Sequence, residues 1–227
     1  MKTIDNISTR LGDDLKKSIK KDSKVCIAAA GFSIYAYEAL KKELGKIEEM
    51  RFIFSSPTLV EEEFKKRDRQ FYIPHIYQEA ELCGGDFELR LKNRLNQRAV
   101  ARECSKWVKE KVTFKSNKDA SQPLNNLLSI ERKNGKGAVY HGFNNFNTTD
   151  LGFTPKKSGF PTLIHKIDYP ATQEYMRWFD QVWRNDEALE DVTARVQSYF
   201  ESAYKENSPE YIYFITLYNI FNDFLEE

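Results

Sequence analysis

Residues Lys24–Phe54 read KVCIAAAGFSIYAYEALKKELGKIEEMRFIF, and the punctuation of this stretch decides the fold class. Lys24-Val25-Cys26-Ile27-Ala28-Ala29-Ala30 is an apolar run of strand length, and its small residues let a covering helix come close. Gly31-Phe32-Ser33 interrupts it. Ser33 stands where an N-cap is needed, ahead of a helix expected over Ile34–Leu44. Met50–Phe54 is a second strand. On the C-terminal side, Thr58 with Glu61 three residues later is a capping-box spacing that opens a third, short helix. On the N-terminal side, Ile7, Leu11, Leu15 and Ile19 repeat every four residues, with Asp13, Lys16, Lys17 and Lys20 largely opposite, which predicts an amphipathic helix. Strand, helix, strand, helix is the order of an α/β sheet.

Further along, Gln70–Gly85 is irregular around Pro74 and Gly84-Gly85. A long helix is expected from Phe87 to about Lys109, then a strand at Val112–Phe114 and a polar loop from Ser116 to Pro123. Leu127–Ile130 and Ala138–Tyr140 read as short strands joined by a hairpin at Asn134-Gly135. Gly142–Phe160 is rich in Gly, Asn and Thr and reads as a site-bearing loop. After Pro170 the pattern predicts helices only: Thr172–Trp183, Glu187–Tyr204 and Glu210–Leu225, with Pro209 suited to the start of the last.

The chain has 227 residues, 41% hydrophobic and 30% charged, which is a globular composition and not a disordered one. That length suits one large domain, or one domain with a small appendix. No apolar run approaches the roughly 20 residues of a membrane helix, and the first residues carry no apolar export core. Cys26, Cys83 and Cys104 stand far apart, which excludes a disulfide framework and a cysteine-rich zinc site and predicts a reducing, cytoplasmic setting. Neither of the common glycine-rich nucleotide loops occurs, nor does a nucleophile elbow of the G-x-S-x-G kind. His75, His141 and His165 are the only histidines. The H-x-x-D spacing of His165 and Asp168 is too small a set for a metal site or a triad, and His165 reads as structural.

A formal net charge of +1 hides an asymmetry. Between Phe87 and Lys118 ten Lys and Arg face three Glu, a local +7; from Asp180 to Glu227 three basic residues face eleven acidic ones, a local −8. A basic stretch is a candidate anion-binding face, and the alternative is that the two segments neutralise each other. Arg90, Arg94, Arg98, Arg102 and Lys106 follow at spacing four, so each advances about 40° and the series sweeps roughly 160° of the helix as a wrapping ridge. Arginine forks suit phosphate oxygens.

The stretch GAVYHGFNNFNTTDLGF, Gly137–Phe153, runs a strand into a loop. Asn144, Asn145, Asn147 and Thr148 there offer backbone N–H groups and side-chain amides or hydroxyls to an anion such as phosphate; the alternative is a turn that caps its own backbone. This stretch resembles the G-S-x-N-F-T segment of the phospholipase D-like superfamily, with Gly142, Asn145, Phe146 and Asn147 at the G, N, F and T positions and Phe143 in place of serine. RLGDDLKKSIKK (Arg10–Lys21), FSIYAYEALKKEL (Phe32–Leu44), RFIFSSPT (Arg51–Thr58), FKSNK (Phe114–Lys118), EYMRWFDQVW (Glu174–Trp183) and YKENSPEYIYFITLYNIFNDFL (Tyr204–Leu225) extend the likeness over nearly the whole chain. Together they resemble the N-terminal phospholipase D-like region of bacterial superfamily 2 (Swi/Snf-type) helicases linked to restriction or phage defence. In those proteins an ATPase motor follows this region, so the chain is expected to be a fragment or a stand-alone version.

The superfamily's chemistry uses H-x-K-x4-D shortly before the G-S-x-N segment, the histidine attacking phosphorus and the lysine neutralising the phosphate. The corresponding stretch here is Leu127–Asn134, without a histidine, and no H-x-K occurs in the chain. The resemblance thus implies an α/β fold, a phospholipase D-like mixed sheet with flanking helices over residues 1–170, and an all-helical extension over 171–227 leading toward a motor. It implies a nucleic-acid-binding accessory domain that contacts the phosphate backbone, without catalytic residues, metal or cofactor, off the membrane, with the motor or a second copy as partner. The alternatives are an active phosphodiesterase or restriction-type nuclease, and a structural docking domain.

Overall fold

Lys24–Ala29 forms a strand, and the helix predicted over Ile34–Leu44 follows it and returns the chain to a parallel strand, Glu49–Phe54. The cap is as read: Ser33 Oγ accepts from Tyr35 N–H at 3.2 Å. The structure is a computed structural model that describes residues 2–59, 94–122, 124–156 and 162–204, with the side chains of 94–98 and 202–204 left aside. Its elements are β1 (Lys2–Ile4), α1 (Leu11–Ser18), β2 (Lys24–Ala29), α2 (Ile34–Leu44), β3 (Glu49–Phe54), α3 (Arg94–Lys111), β4 (Val112–Asn117), β5 (Leu127–Glu131), β6 (Gly137–His141), β7 (Ile164–Asp168), α4 (Thr172–Trp183), β8 (Leu189–Asp191) and α5 (Thr193–Tyr204).

The eight strands make one mixed sheet in the order β1-β7-β6-β5-β2-β3-β4-β8. β2, β3 and β4 run parallel, and every other neighbouring pair is antiparallel. The predicted hairpin joins β5 to β6, with Gly135 at φ +73° and its N–H on Arg132 O at 2.8 Å. The α/β class therefore holds, as a mixed sheet flanked by helices.

Side chains alternate between two core layers, as strand geometry requires. Val25, Ile27, Ala29, Phe52, Phe54 and Phe114 belong to a large cluster with residues of α1, α2, α3 and α5. Cys26, Ala28, Ile53, Leu127 and Val139 belong to a smaller one with Phe179 of α4 and Leu189. Phe32 sits at the centre of the larger layer, its ring 5.5–6.1 Å from those of Phe52, Phe114, Phe146 and Phe200.

Several expectations need correction. The first helix begins at Leu11, not near Ile7, and Ile7 is 76% exposed. Asp5 Oδ1 accepts the N–H groups of Ile7, Ser8 and Thr9 at 2.9–3.0 Å, a side-chain-closed turn that outcompetes helix there. The segment after Pro170 is not all helical. Leu189–Asp191 pairs with β4 as an edge strand where a helix from Glu187 was expected. α4 and α5 put Phe179, Val196 and Phe200 into the two core layers of the same sheet. Ser116 and Asn117 prolong β4 instead of opening a loop; Asn117 Nδ2 bonds the carbonyls of Ser55 and Gln122 at 3.2 and 2.8 Å. β1 and β7 were not anticipated. The short helix after Thr58, the irregular Gln70–Gly85 stretch and the helix at Glu210–Leu225 lie outside the described residues.

Candidate functional site

The loop singled out in the sequence leaves β6 at His141 and passes the carboxyl-terminal end of β2. Its first residue must be glycine. Gly142 has φ +94°, and a Cβ there would stand 2.2 Å from the Leu163 carbonyl oxygen. Phe143 and Phe146 are buried and pin the loop down. Phe146 forms a parallel bridge with Phe32, its N–H on Gly31 O at 2.8 Å and its carbonyl accepting from Ser33 N–H at 2.9 Å. Asn144 O accepts from Ala30 N–H at 2.9 Å. The carboxyl ends of parallel strands are where open α/β sheets bind ligands.

The four candidate anion contacts differ in their surroundings. The backbone N–H groups of Asn144 and Asn145 both donate to Asp150 Oδ2, at 3.0 and 2.7 Å. Asn147 Oδ1 in turn accepts from Asp150 N–H at 2.8 Å. Thr148 is buried and its hydroxyl accepts from Thr154 Oγ1 at 2.9 Å. Asn144 is exposed and Asn145 half-buried. A carboxylate of the chain's own thus takes the two N–H groups an external phosphate would use, and a phosphate there would have to displace it. The spacing of Asn147 and Asp150 is the sequence signal for this closure, a side-chain cap reaching three residues on.

The arginine series falls on α3, an 18-residue helix. Val100, Ala101, Cys104, Trp107 and Val108 seat it on the sheet. Arg102 and Lys106 are exposed; Arg94 and Arg98 continue the same spacing toward the N-terminus of the helix, and Arg90 lies outside the described residues. The acidic segment does meet the basic one. Lys109 Nζ lies 2.5 Å from Glu201 Oε1 of α5, Lys115 Nζ lies 2.6 Å from Asp186 Oδ1, and Lys118 Nζ donates to the Asp186 carbonyl at 2.7 Å. Mutual neutralisation is therefore real at the C-terminal end of the basic stretch, beyond Lys106.

Two polar groupings escaped the sequence reading. Beneath α1, Asp14 Oδ2 accepts from Tyr140 Oη and Lys166 Nζ, both at 2.7 Å, and Tyr140 Oη lies 2.7 Å from Ser18 Oγ. Burial pushes the Asp14 carboxyl up, but the Lys166 and Tyr140 hydrogen bonds and the charges of Lys166 and Lys2 outweigh it and hold the group below its ordinary value. Burial, with the same network, pushes the Tyr140 phenol far above the usual range, so at neutral pH it is a donor and no base. On the opposite face, His141 and His165 are directly opposed on β6 and β7. Asn126 Oδ1, His141 Nε2 and His165 Nδ1 are buried without a hydrogen-bond partner. No periodicity could show these pairings, because they depend on β7 lying beside β6.

No helix among the described residues is long and apolar enough to cross a membrane, and none of them form a group of three or more metal-type ligands. No family model matches the chain, and no curated protein matches it.

Proposed function

We propose that the chain is a nucleic-acid-binding module of phospholipase D-like design that contacts the phosphate backbone and lacks the histidine-type phosphodiester chemistry. The observation that carries this reading is the outer side of α3. A helix anchored by Val100, Cys104, Trp107 and Val108 turns Arg102 and Lys106 outward, in a series whose earlier members are also arginine. Such a ridge suits consecutive phosphates and reads no bases. The absence of catalysis rests on β5. Leu127, Leu128, Ser129 and Ile130 are all buried, and none is a nucleophile that can replace an imidazole. In the resembled helicases such a domain would place nucleic acid for the motor; docking to that motor, or to a second copy, is compatible with the same surface.

The test is retention of DNA by the whole chain across a salt series. Replacing Arg94, Arg98 and Arg102 by Gln should weaken binding to every sequence alike and flatten the salt slope by up to about three, one for each phosphate left without its arginine. Equal retention by wild type and triple variant at low salt would remove the ridge and leave the docking reading ahead. One observation favours the phosphodiesterase reading as second: His141 and His165 stand together at one end of the sheet, each with an unpartnered buried nitrogen. Metal-free turnover of a chromogenic phosphodiester or of plasmid DNA, abolished in His141→Ala, would establish that reading instead.

A further inference from the structure

On the α4 face of the sheet, the start of β5 and the end of β6 border a cleft of about 370 Å³ lined by Asn125, Leu127, His141, Glu174, Tyr175 and Trp178. We propose that this cleft takes one planar heteroaromatic ring, an unstacked nucleobase of a single strand, stacked on its aromatic wall. The inference rests on the nucleic-acid reading and gives it a substrate class.

The wall is assembled from two elements. Glu174, Tyr175 and Trp178 occupy neighbouring positions of α4, with Trp178 four residues after Glu174 and three after Tyr175, so they share one side of the helix. The His141 ring comes from the sheet and lies 4.8 Å from the Tyr175 ring, at 56° between planes. Burial keeps the imidazole below its ordinary 6.5; the Asn126 backbone pulls the other way, and His165 adds to the drop. At neutral pH the His141 ring therefore adds an uncharged aromatic surface to the wall. The rim is polar: the Asn125 amide both donates and accepts, and the Glu174 carboxylate accepts. A nucleobase edge carries donors and acceptors side by side, and its faces stack on tyrosine, tryptophan or histidine. An aliphatic ligand would leave that rim unmatched. The volume is near the lower end of the ~300–1,000 Å³ typical of small-ligand sites, enough for one nucleoside and too small for a base pair. Unstacked bases are presented by single strands, not by duplexes.

The experiment titrates the full chain separately with adenosine, cytidine, ribose 5-phosphate and choline, following tryptophan fluorescence. Of the two other tryptophans, Trp107 is buried on the opposite face with its indole N–H on the Leu44 carbonyl and Trp183 is stacked on Phe179 at the end of α4, outside the cleft lining, so a response abolished in Trp178→Leu reports the cleft. The nucleosides should change the signal and ribose 5-phosphate and choline should not. Tyr175→Ala should weaken nucleoside binding about tenfold or more, and Trp178→Phe, which keeps a ring but removes the reporter, should retain most of the binding when it is followed by isothermal titration calorimetry, with unchanged circular dichroism. Silence with both nucleosides, a response that survives Trp178→Leu, or choline binding as well as the nucleosides would overturn the proposal, the last result pointing to an ammonium site. The ridge assay keeps the two readings apart. DNA retained through the arginines with no nucleoside response removes the cleft alone; nucleoside binding with no DNA retention removes the ridge alone.

Discussion

The two faces of the sheet are finished differently. On the side of α1, α2, α3 and α5, four phenylalanines pack around Phe32, and the buried carboxylate of Asp14 is bonded by both Tyr140 and Lys166. On the other side one helix among the described residues, α4, lies over a smaller cluster, and among the same residues the sheet end beyond it borders a cleft beside unpartnered histidine nitrogens. Buried polar atoms are usually satisfied, and exceptions call for a reason. The contrast teaches a division of labour: one face supplies the stability that lets the other keep an open, polar end.

The largest effect should come from the closed face. Phe32→Ala removes a fully buried ring from four aromatic neighbours and should cost about 3–5 kcal/mol in a denaturant titration. Tyr175→Phe at the cleft should stay within about 0.5 kcal/mol. Similar destabilisation by the two would break the comparison.

Next is the carboxylate under α1. Asp14→Ala leaves the Lys166 ammonium without its main partner, and should cost about 3 kcal/mol, the low end for breaking a buried pair because Lys166 retains 14% exposure and a weak interaction with Asp168. Tyr140→Phe removes the hydroxyl that bonds both Asp14 and Ser18 and leaves the ion pair, and should cost about 2 kcal/mol. The wild type should also lose stability in acid through this group. Its folded value is below the ordinary 3.8, so the contribution is complete above that pH and is lost as pH falls below it. A wild type and an Asp14→Asn variant with equal acid sensitivity would show that the network does not hold the carboxylate charged.

The open face should answer pH in a different window. His141 is held below 6.5 in the folded chain, so the unfolded chain binds the extra proton first. Stability should be full above about pH 6.5 and decline as pH falls below it, with a slope of at most about 1.4 kcal/mol per pH unit for one proton. His141→Asn should flatten that decline and leave the acid loss due to Asp14 untouched. A decline that persists in the variant would assign it to another group.

Local signals carried much of the fold. The Ser33 cap, the Asn134-Gly135 turn and the apolar strands β2 and β3 each announce themselves within a few residues. The strands that went unread are those whose partners are remote. β1 has three residues and gains its identity only from β7. β8 sits in an acidic stretch of helical composition, and is a strand because β4 offers it an edge. The anion loop was legible as a loop, but not the Asp150 carboxylate that closes it. The cleft was not legible at all, since Asn125, His141 and Trp178 meet only after β5, β6 and α4 are in place.

The smallest effect decides how far the acidic segment masks the basic one. Lys109 and Glu201 join α3 to α5 at 2.5 Å, with half of the Lys109 side chain and a third of the Glu201 side chain exposed. A pair so open to solvent is screened and holds two long side chains in place, so a double-mutant cycle with Lys109→Ala and Glu201→Ala should return a coupling of about 0.2–1 kcal/mol that shrinks with added salt. Breaking it should leave DNA retention nearly unchanged, because Lys109 lies nearly one turn past the end of the ridge at Lys106. A gain of retention in Glu201→Ala would mean that the carboxylate competes with phosphate for the basic helix. The ridge on the outer side of α3 would then be a binding surface held in check by the fold itself, and the closed face would do more than supply stability.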